Sequence, residues 1–332
     1  PRPPPGSDAL NDPTTAQTTQ TGAAAEFRAD VIEGLARPSK SIPPKYLYDD
    51  LGSALFDEIC ETEDYYLTRT EAALFEDHLE EIAEAIGSRV LVVEPGPGNG
   101  EKAARLLREL DRPVGYVPYD VSTTYVEGAT ERVAEVAPEV DVYPSVGDFN
   151  SGVEMPEDVD PAGGVLVFFP GSTYGNLERD QRDKLLKRFR SMISADGRVL
   201  IGVDLVKDTE RLLLAYDDRQ GVTERFALNL LRRFNDELDA EIDPDSLEYA
   251  ARWDAEHERI EMGLVSKSDQ QISIADRTFD LRAGEWIRTE YSKKFTEDGL
   301  AEELAAAGLR IEHTWKDERT PYLLALIGPI DG

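Results

Sequence analysis

From Arg89 to Val206 the chain alternates apolar, β-branched runs with helical stretches, and this alternation constrains the fold more than any other feature. RVLVVEPG, VGYVPYDVS, VDVYPSVGDF, GVLVFFPGS and RVLIGVDLV read as strands. The first is apolar until it meets glycines, which suits a strand covered on both faces. KAARLLREL, a stretch ending near Ala137 and RDQRDKLLKRFRSMI read as the intervening helices. Alternation of this kind predicts a parallel, doubly wound sheet with right-handed crossovers. Ligands of such a sheet bind at the carboxyl ends of its strands.

The segment from about Lys207 to Lys294 interrupts the pattern. It holds a helix, TERFALNLLRRFNDEL, with Phe226, Leu230, Phe234 and Leu238 at i+4 steps. Strand-like alternation follows in RIEMGLVS, with Ile260, Met262 and Leu264 on one face, and in QQISIA. We read the segment as an inserted α+β subdomain. Helix GLAEELAAAG then closes at Gly308, and RIEHTWKDE and YLLALIGP supply two last strands. A closing pair after five β/α units resembles the topology of class I methyltransferases. Upstream lie a short helix in EFRADVIEGLAR, a proline-extended SIPPKYLYDD and two helical runs around DYYLTRTE. The second run, Thr70 to Ile86, places Phe75, Leu79, Ile82 and Ile86 on one face. The expected division is a disordered tail over 1–25, a substrate-binding domain from 26–70 plus 207–294, and a methyltransferase domain from 71–206 plus 295–332.

Charge narrows the partners. The chain has 67 acidic against 36 basic residues, a net charge of −31, which argues against nucleic acid or an anionic membrane. Arg outnumbers Lys 26 to 10, and an acidic, Lys-poor surface reads as a halophile's, a matter of habitat rather than function. A single cysteine, Cys60, excludes an internal disulfide, suits a reducing cytoplasm and reads as a small buried hydrophobe. His78, His257 and His313 lack metal-ligand spacing, so no metal is expected. No apolar run approaches the roughly 20 residues that span a bilayer, and the Pro/Thr/Ala-rich opening has no signal-peptide core. A cytoplasmic monomer acting on a small molecule is the expectation.

The loop Glu94-Pro95-Gly96-Pro97-Gly98-Asn99-Gly100 ends the first strand and opens a helix. A dinucleotide fingerprint wants G-x-G-x-x-G, but here the spacing is G-x-G-x-G with an acid in front. S-adenosylmethionine, with a sulfonium, an ammonium and a ribose, fits an acid beside a glycine turn better than a pyrophosphate does. Asp120, 26 residues after Glu94, ends the second strand where an acid would hold ribose hydroxyls. Asp148 in SVGDF stands where a side chain caps the adenine amine, and Lys102 completes the cofactor set. Gly171 to Asn176 follows the fourth strand; it is equally a plain strand-to-helix turn or a site in which Asn176 bonds an amine and a carboxylate.

YLYDDLGSALFDEIC, DYYLTRTE, FFPGSTYGN, IGVDLVKD, RIEMGLVS and GEWIRTEYSKKF together resemble the histidine Nα-methyltransferases of ergothioneine biosynthesis. The resemblance runs from about Phe27 to the C-terminus. It implies trimethylation of L-histidine to hercynine on a Rossmann-like α/β fold. It also implies an amino-acid pocket including Tyr48, Tyr65, Gly171, Asn176, Tyr216, Met262, Glu290 and Ser292. Asn176 and Tyr216 would hold the α-carboxylate, while Glu290 and Ser292 would read the imidazole. Tyr48, Tyr65 or water would take the amine's proton. The loop departs from the family in reading EPGPG, where Pro97 removes a backbone donor. Methylation of tyrosine or tryptophan, or cofactor binding without catalysis, remains the alternative.

Overall fold

A computed structural model describes residues 13–147, 153 and 155–330. The strands are β1 (Leu91–Pro95), β2 (Gly115–Asp120), β3 (Ser145–Val146), β4 (Val165–Phe169), β5 (Arg198–Asp204) and β6 (Leu247–Asp254). They continue as β7 (Arg259–Ser266), β8 (Gln270–Ile274), β9 (Arg277–Leu281), β10 (Trp286–Lys293), β11 (Leu309–Asp317) and β12 (Tyr322–Pro329). The helices are α1 (Pro13–Ala36), α2 (Asp50–Glu61), α3 (Leu67–Asp77), α4 (Leu79–Ile86) and α5 (Glu101–Glu109). After them come α6 (Thr123–Val136), α7 (Arg179–Met192), α8 (Thr209–Tyr216), α9 (Val222–Glu237) and α10 (Glu297–Ala306).

Two compact units result. The first comprises Glu63–Ala215, Trp253–Ile260 and the chain from Tyr291 onward. Its seven-stranded sheet has the order β11-β12-β5-β4-β1-β2-β3, parallel from β5 through β3, with β12 antiparallel to both neighbours. Alternate residues of each strand enter opposite cores, as period-two geometry requires. Val92, Leu166, Phe168 and Leu200 pack with α3 to α6, whereas Val93, Val167, Ile201 and Val203 pack with α7 and α10. Helices on both faces of a mainly parallel sheet make this the class I, Rossmann-like, doubly wound fold expected from the alternation.

The second unit comprises residues up to Thr62, Tyr216–Arg252 and Glu261–Glu290. Its core gathers Phe27, Val31 and Leu35 of α1 and Phe226, Leu230 and Phe234 of α9, all buried at helical spacing. Phe27 lies 4.3 Å from Tyr46 and 6.0 Å from Phe234, ring centre to ring centre. Strands β8 and β9 form a hairpin, and a three-stranded sheet has the order β10-β7-β6. Ile260, Met262 and Leu264 of β7 are buried, and so are Glu261 and Gly263 between them, so this strand is covered on both faces.

Several expectations change. The run Thr70–Ile86 is two helices that break at His78, whose backbone leaves the helical region at φ −120° and ψ 14°. Glu80 and Glu81 favour a fresh N-terminus there, and the break leaves Phe75, Leu79 and Ile82 in one core. Helix α1 begins at Pro13, inside the stretch expected to be disordered; proline fits a first helical turn, and alanines follow. Residues 1–12 lie outside the described residues. Cys60 is half-buried on α2 rather than fully buried. The chain passes from one unit to the other at Thr62/Glu63 and at Ala215/Tyr216. Among the described residues no helix is long and apolar enough to cross a membrane.

Candidate active site

The carboxyl ends of β1 and β2 carry the acids that the sequence singled out. Glu94 is buried, and the Tyr116 hydroxyl of β2 donates to it. Burial pushes its carboxyl up to about 8, against the opposing pull of Tyr116 and the Lys102 ammonium. Asp120 is half-buried, and its Oδ1 accepts the Ser122 N–H at 2.8 Å. Burial raises its pKa, while the N–H groups of Ser122 and Val121 hold it down.

The loop between these acids depends on its glycines. Gly96, Gly98 and Gly100 have φ of 68°, 55° and 69°, a region that residues with a side chain rarely enter. A Cβ at Gly100 would lie 2.6 Å from the Ala129 Cα, so this glycine lets the start of α5 approach α6. That packing role accounts for the unusual G-x-G-x-G spacing. A Cβ at Gly96 would sit 4.0 Å from Asp120 Oδ2, so acid and loop adjoin. Lys102, in the first turn of α5, pairs with Glu71 of α3. Asp148 lies outside the described residues.

After β4 the chain turns sharply. Gly171 has φ 88° and Ser172 has φ 57°, and Thr173–Asn176 form one 3-10 turn. A side-chain-bearing residue at positive φ costs about 1–3 kcal/mol and persists only where its surroundings fix it. They do so here. Glu71 Oε1 accepts the Gly171 N–H at 2.6 Å, and Ser172 Oγ accepts the Asp204 N–H at 3.2 Å. The Tyr174 hydroxyl donates to Glu303 at 2.7 Å, and Arg182 donates to Glu303 twice at 2.9 Å and to the Leu177 carbonyl at 2.7 Å. Asn176, half-buried, therefore stands between two anchored residues.

Beside this turn is a charged cluster that sequence reasoning missed. Asp204, the last residue of β5, is fully buried. It takes the Tyr66 hydroxyl at 2.7 Å, Lys294 Nζ at 2.9 Å and the Lys207 ammonium. Burial brings Lys207 down to about 8 despite its carboxylate partner. Lys294 also donates to Ser292 Oγ at 2.9 Å. Ser292 is thus tied into this cluster. Tyr65, half-buried, precedes Tyr66 and contributes to the field on the Tyr322 hydroxyl. The missed signal was an acid at a strand end in IGVD, the same grammar as Glu94 and Asp120.

In the second unit, the Tyr48 hydroxyl donates to Glu290 Oε1 across a long 3.5 Å. Burial pushes Glu290 up to about 7, and the Tyr48 bond opposes that shift. Tyr48 is held edge-on against Phe56 and Phe226, with ring centres 5.5 and 5.2 Å away. Tyr216 is buried, and its carbonyl accepts the Tyr249 hydroxyl. Met262 is buried on β7, its carbonyl accepting Thr289 Oγ1 at 3.3 Å. Thus the structure joins Tyr48 to Glu290. Gly171 and Lys102 meet on Glu71, and Ser292 joins Lys294 and Asp204.

This strand order, with an acid at each of two adjacent strand ends and a positive-φ glycine loop between them, defines an S-adenosylmethionine-dependent methyltransferase. The donor set fits that cofactor, offering carboxylates for hydroxyls and an amine, and a lysine for a carboxylate. The chain belongs to the histidine-specific, S-adenosylmethionine-dependent methyltransferase family, whose model matches residues 27–329. It is 39% identical over 309 residues to a histidine N-alpha-methyltransferase of Mycolicibacterium smegmatis, covering 92% of this chain and 95% of that one. The histidine N-alpha-methyltransferase of Mycobacterium tuberculosis is 38% identical over 305 residues, covering 90% and 94% respectively. Ergothioneine biosynthesis protein 1 of Neurospora crassa is 31% identical over 214 residues, covering 62% of this chain and 24% of that protein.

Proposed function

We propose that the chain trimethylates the α-amine of L-histidine to give hercynine, within ergothioneine biosynthesis. The observation that carries this reading is the match, along nearly the whole chain, to two histidine N-alpha-methyltransferases. When bound, S-adenosylmethionine supplies a methyl group already activated on sulfonium, so the protein's share is positioning. Asp120 is assigned to the ribose hydroxyls, Lys102 to the cofactor carboxylate and Asp148 to the adenine amine. Glu94, Gly96 and Gly98 shape the loop around it. Asn176 and Tyr216 are assigned to the substrate carboxylate, Gly171 and Met262 to the pocket wall, and Glu290 and Ser292 to the imidazole.

The amine must be neutral to attack, and each of the first two methylations leaves a proton to be removed before the next. Tyr48 and Tyr65 are assigned to the amine, either directly or through water. A cytoplasmic monomer with a small-molecule substrate and no nucleic acid partner belongs to the same proposal. Incubation with S-adenosylmethionine and each of the twenty amino acids, read by mass, tests it. Gain of three methyl groups on histidine is expected. Methylation of tyrosine or tryptophan instead, or of nothing, overturns it.

A further inference from the structure

Glu71 has no part in the assignments above, yet it touches two residues that do. It projects from α3 and is only 1% exposed. Its Oε1 takes the Gly171 N–H at 2.6 Å and the Tyr322 hydroxyl at 2.7 Å. Its Oε2 takes the ammonium of Lys102. The donors come from three places: the turn after β4, strand β12 and helix α5. Space for the carboxylate comes from Gly202 on β5, where a Cβ would stand 2.1 Å from Oε1.

This geometry does more than satisfy a buried charge. Two donors on one oxygen fix the plane of the carboxylate, and that plane fixes the direction in which the other oxygen meets Lys102. Lysine carries its charge on a flexible four-carbon stem with three donors. Held by Glu71 through one N–H, the ammonium keeps two for a ligand. Lys102 is 29% exposed where Glu71 is 1% exposed, so the pair is anchored at its acidic end and open at its basic end. The Lys102 charge also lowers the Glu94 carboxyl, so it acts on an acid of the glycine loop as well as on its anchoring acid.

We propose that Glu71 is a positioning residue that presents the Lys102 ammonium to the cofactor while pinning the Gly171 turn on the substrate side. The inference rests on the assignment of Lys102 to the cofactor carboxylate, and the test separates the two. The variants are K102M, E71Q and the double E71Q/K102M, with S-adenosylhomocysteine affinity read by calorimetry on the full chain. K102M should weaken binding about tenfold or more, the scale of a lost hydrogen bond to a charged group. E71Q keeps an oxygen for Gly171 and Tyr322 but turns an amide toward Lys102. It should weaken cofactor binding about 5- to 20-fold, leave the histidine KM within about twofold, and add nothing in the K102M background. An undiminished E71Q effect on top of K102M would show that Glu71 acts independently of the lysine and overturn the inference. Unchanged affinity in K102M would overturn the assignment of Lys102 itself. If E71Q fails to fold, Y322F serves: it removes one of the two donors on Oε1 and keeps every charge. A loss of affinity that vanishes in the K102M background supports the role, and unchanged affinity refutes it.

Discussion

Replacing Glu290 by glutamine isolates its charge from its shape. Burial raises Glu290 to about 7, so near neutral pH the group is divided between carboxyl and carboxylate. Only the carboxylate accepts an imidazole N–H at full strength. A hydrogen bond to a charged group contributes about 1.5–3 kcal/mol and a neutral one about 0.5–1.5. Glu290→Gln should therefore remove about 1–2 kcal/mol, lowering kcat/KM for histidine about 5- to 30-fold at pH 8 to 9. The pH profile is the sharper assay. Wild-type kcat/KM should climb as Glu290 ionises around 7, and this limb should vanish in the glutamine variant. Ionisation of free histidine, with its imidazole near 6.5, persists in both and is subtracted by the comparison. Tyr48→Phe removes the hydrogen bond that holds Glu290 down, so its limb should move to higher pH. The sign for stability is opposite. A carboxyl raised above its ordinary 4.5 contributes stability that is present below that value and lost as pH climbs to about 7. Thermal midpoints should accordingly fall less between pH 5 and 8 in the glutamine variant than in wild type. A glutamine variant that kept both the wild-type rate and the limb near 7 would refute the reasoning.

Asp120→Ala should weaken S-adenosylmethionine binding by about 1.5–3 kcal/mol in calorimetry, since charge-assisted bonds to ribose are lost. Equal affinity would remove Asp120 from the site. Gly100→Ala should destabilise the fold by about 2–4 kcal/mol, combining strain at positive φ with a clash against α6; an unshifted urea midpoint contradicts this. With a net charge of −31, the melting midpoint should rise as KCl goes from low to molar concentration, and a flat series rejects the halophile reading.

The sheet was legible because its strands are buried on both sides, so Leu91–Pro95 and Val165–Phe169 stand out as apolar blocks between helices. Strands β6, β9 and β10 are harder to read, because LEYAARWD, RTFDL and WIRTEYSK are partly exposed and interleave charges with apolar residues, so they lack the continuous apolar block of the sheet strands. The break at His78 was invisible because the apolar spacing runs straight through it. Glu94, Gly96 and Gly98 are legible because a strand end followed by glycine is local grammar, and Asp120 because it ends the next strand. Glu71 could not. It lies in TRTEAALFED, where one acid among several on a helix looks solvated, and only the fold brings Lys102, Gly171 and Tyr322 to it. The role of Gly100 likewise needed Ala129, a residue of the next helix.

The reversed strand β12 has a consequence for how the protein is made. It lies between β5 and β11, and its Tyr322 pairs with Asp204, 118 positions earlier in the chain. During synthesis the edge of β5 from Val199 to Asp204 must wait for that partner. At about 5–20 residues per second the wait lasts about 6–24 s, during which the nascent chain displays an unpaired apolar edge. A holding chaperone, or high salt that compacts an acidic chain, would matter most in that interval. Ribosome-stalled chains ending just before Tyr322 should be digested rapidly across β5, and chains that have released Pro329 should resist. Equal resistance in both would mean that β5 is protected before its partner emerges.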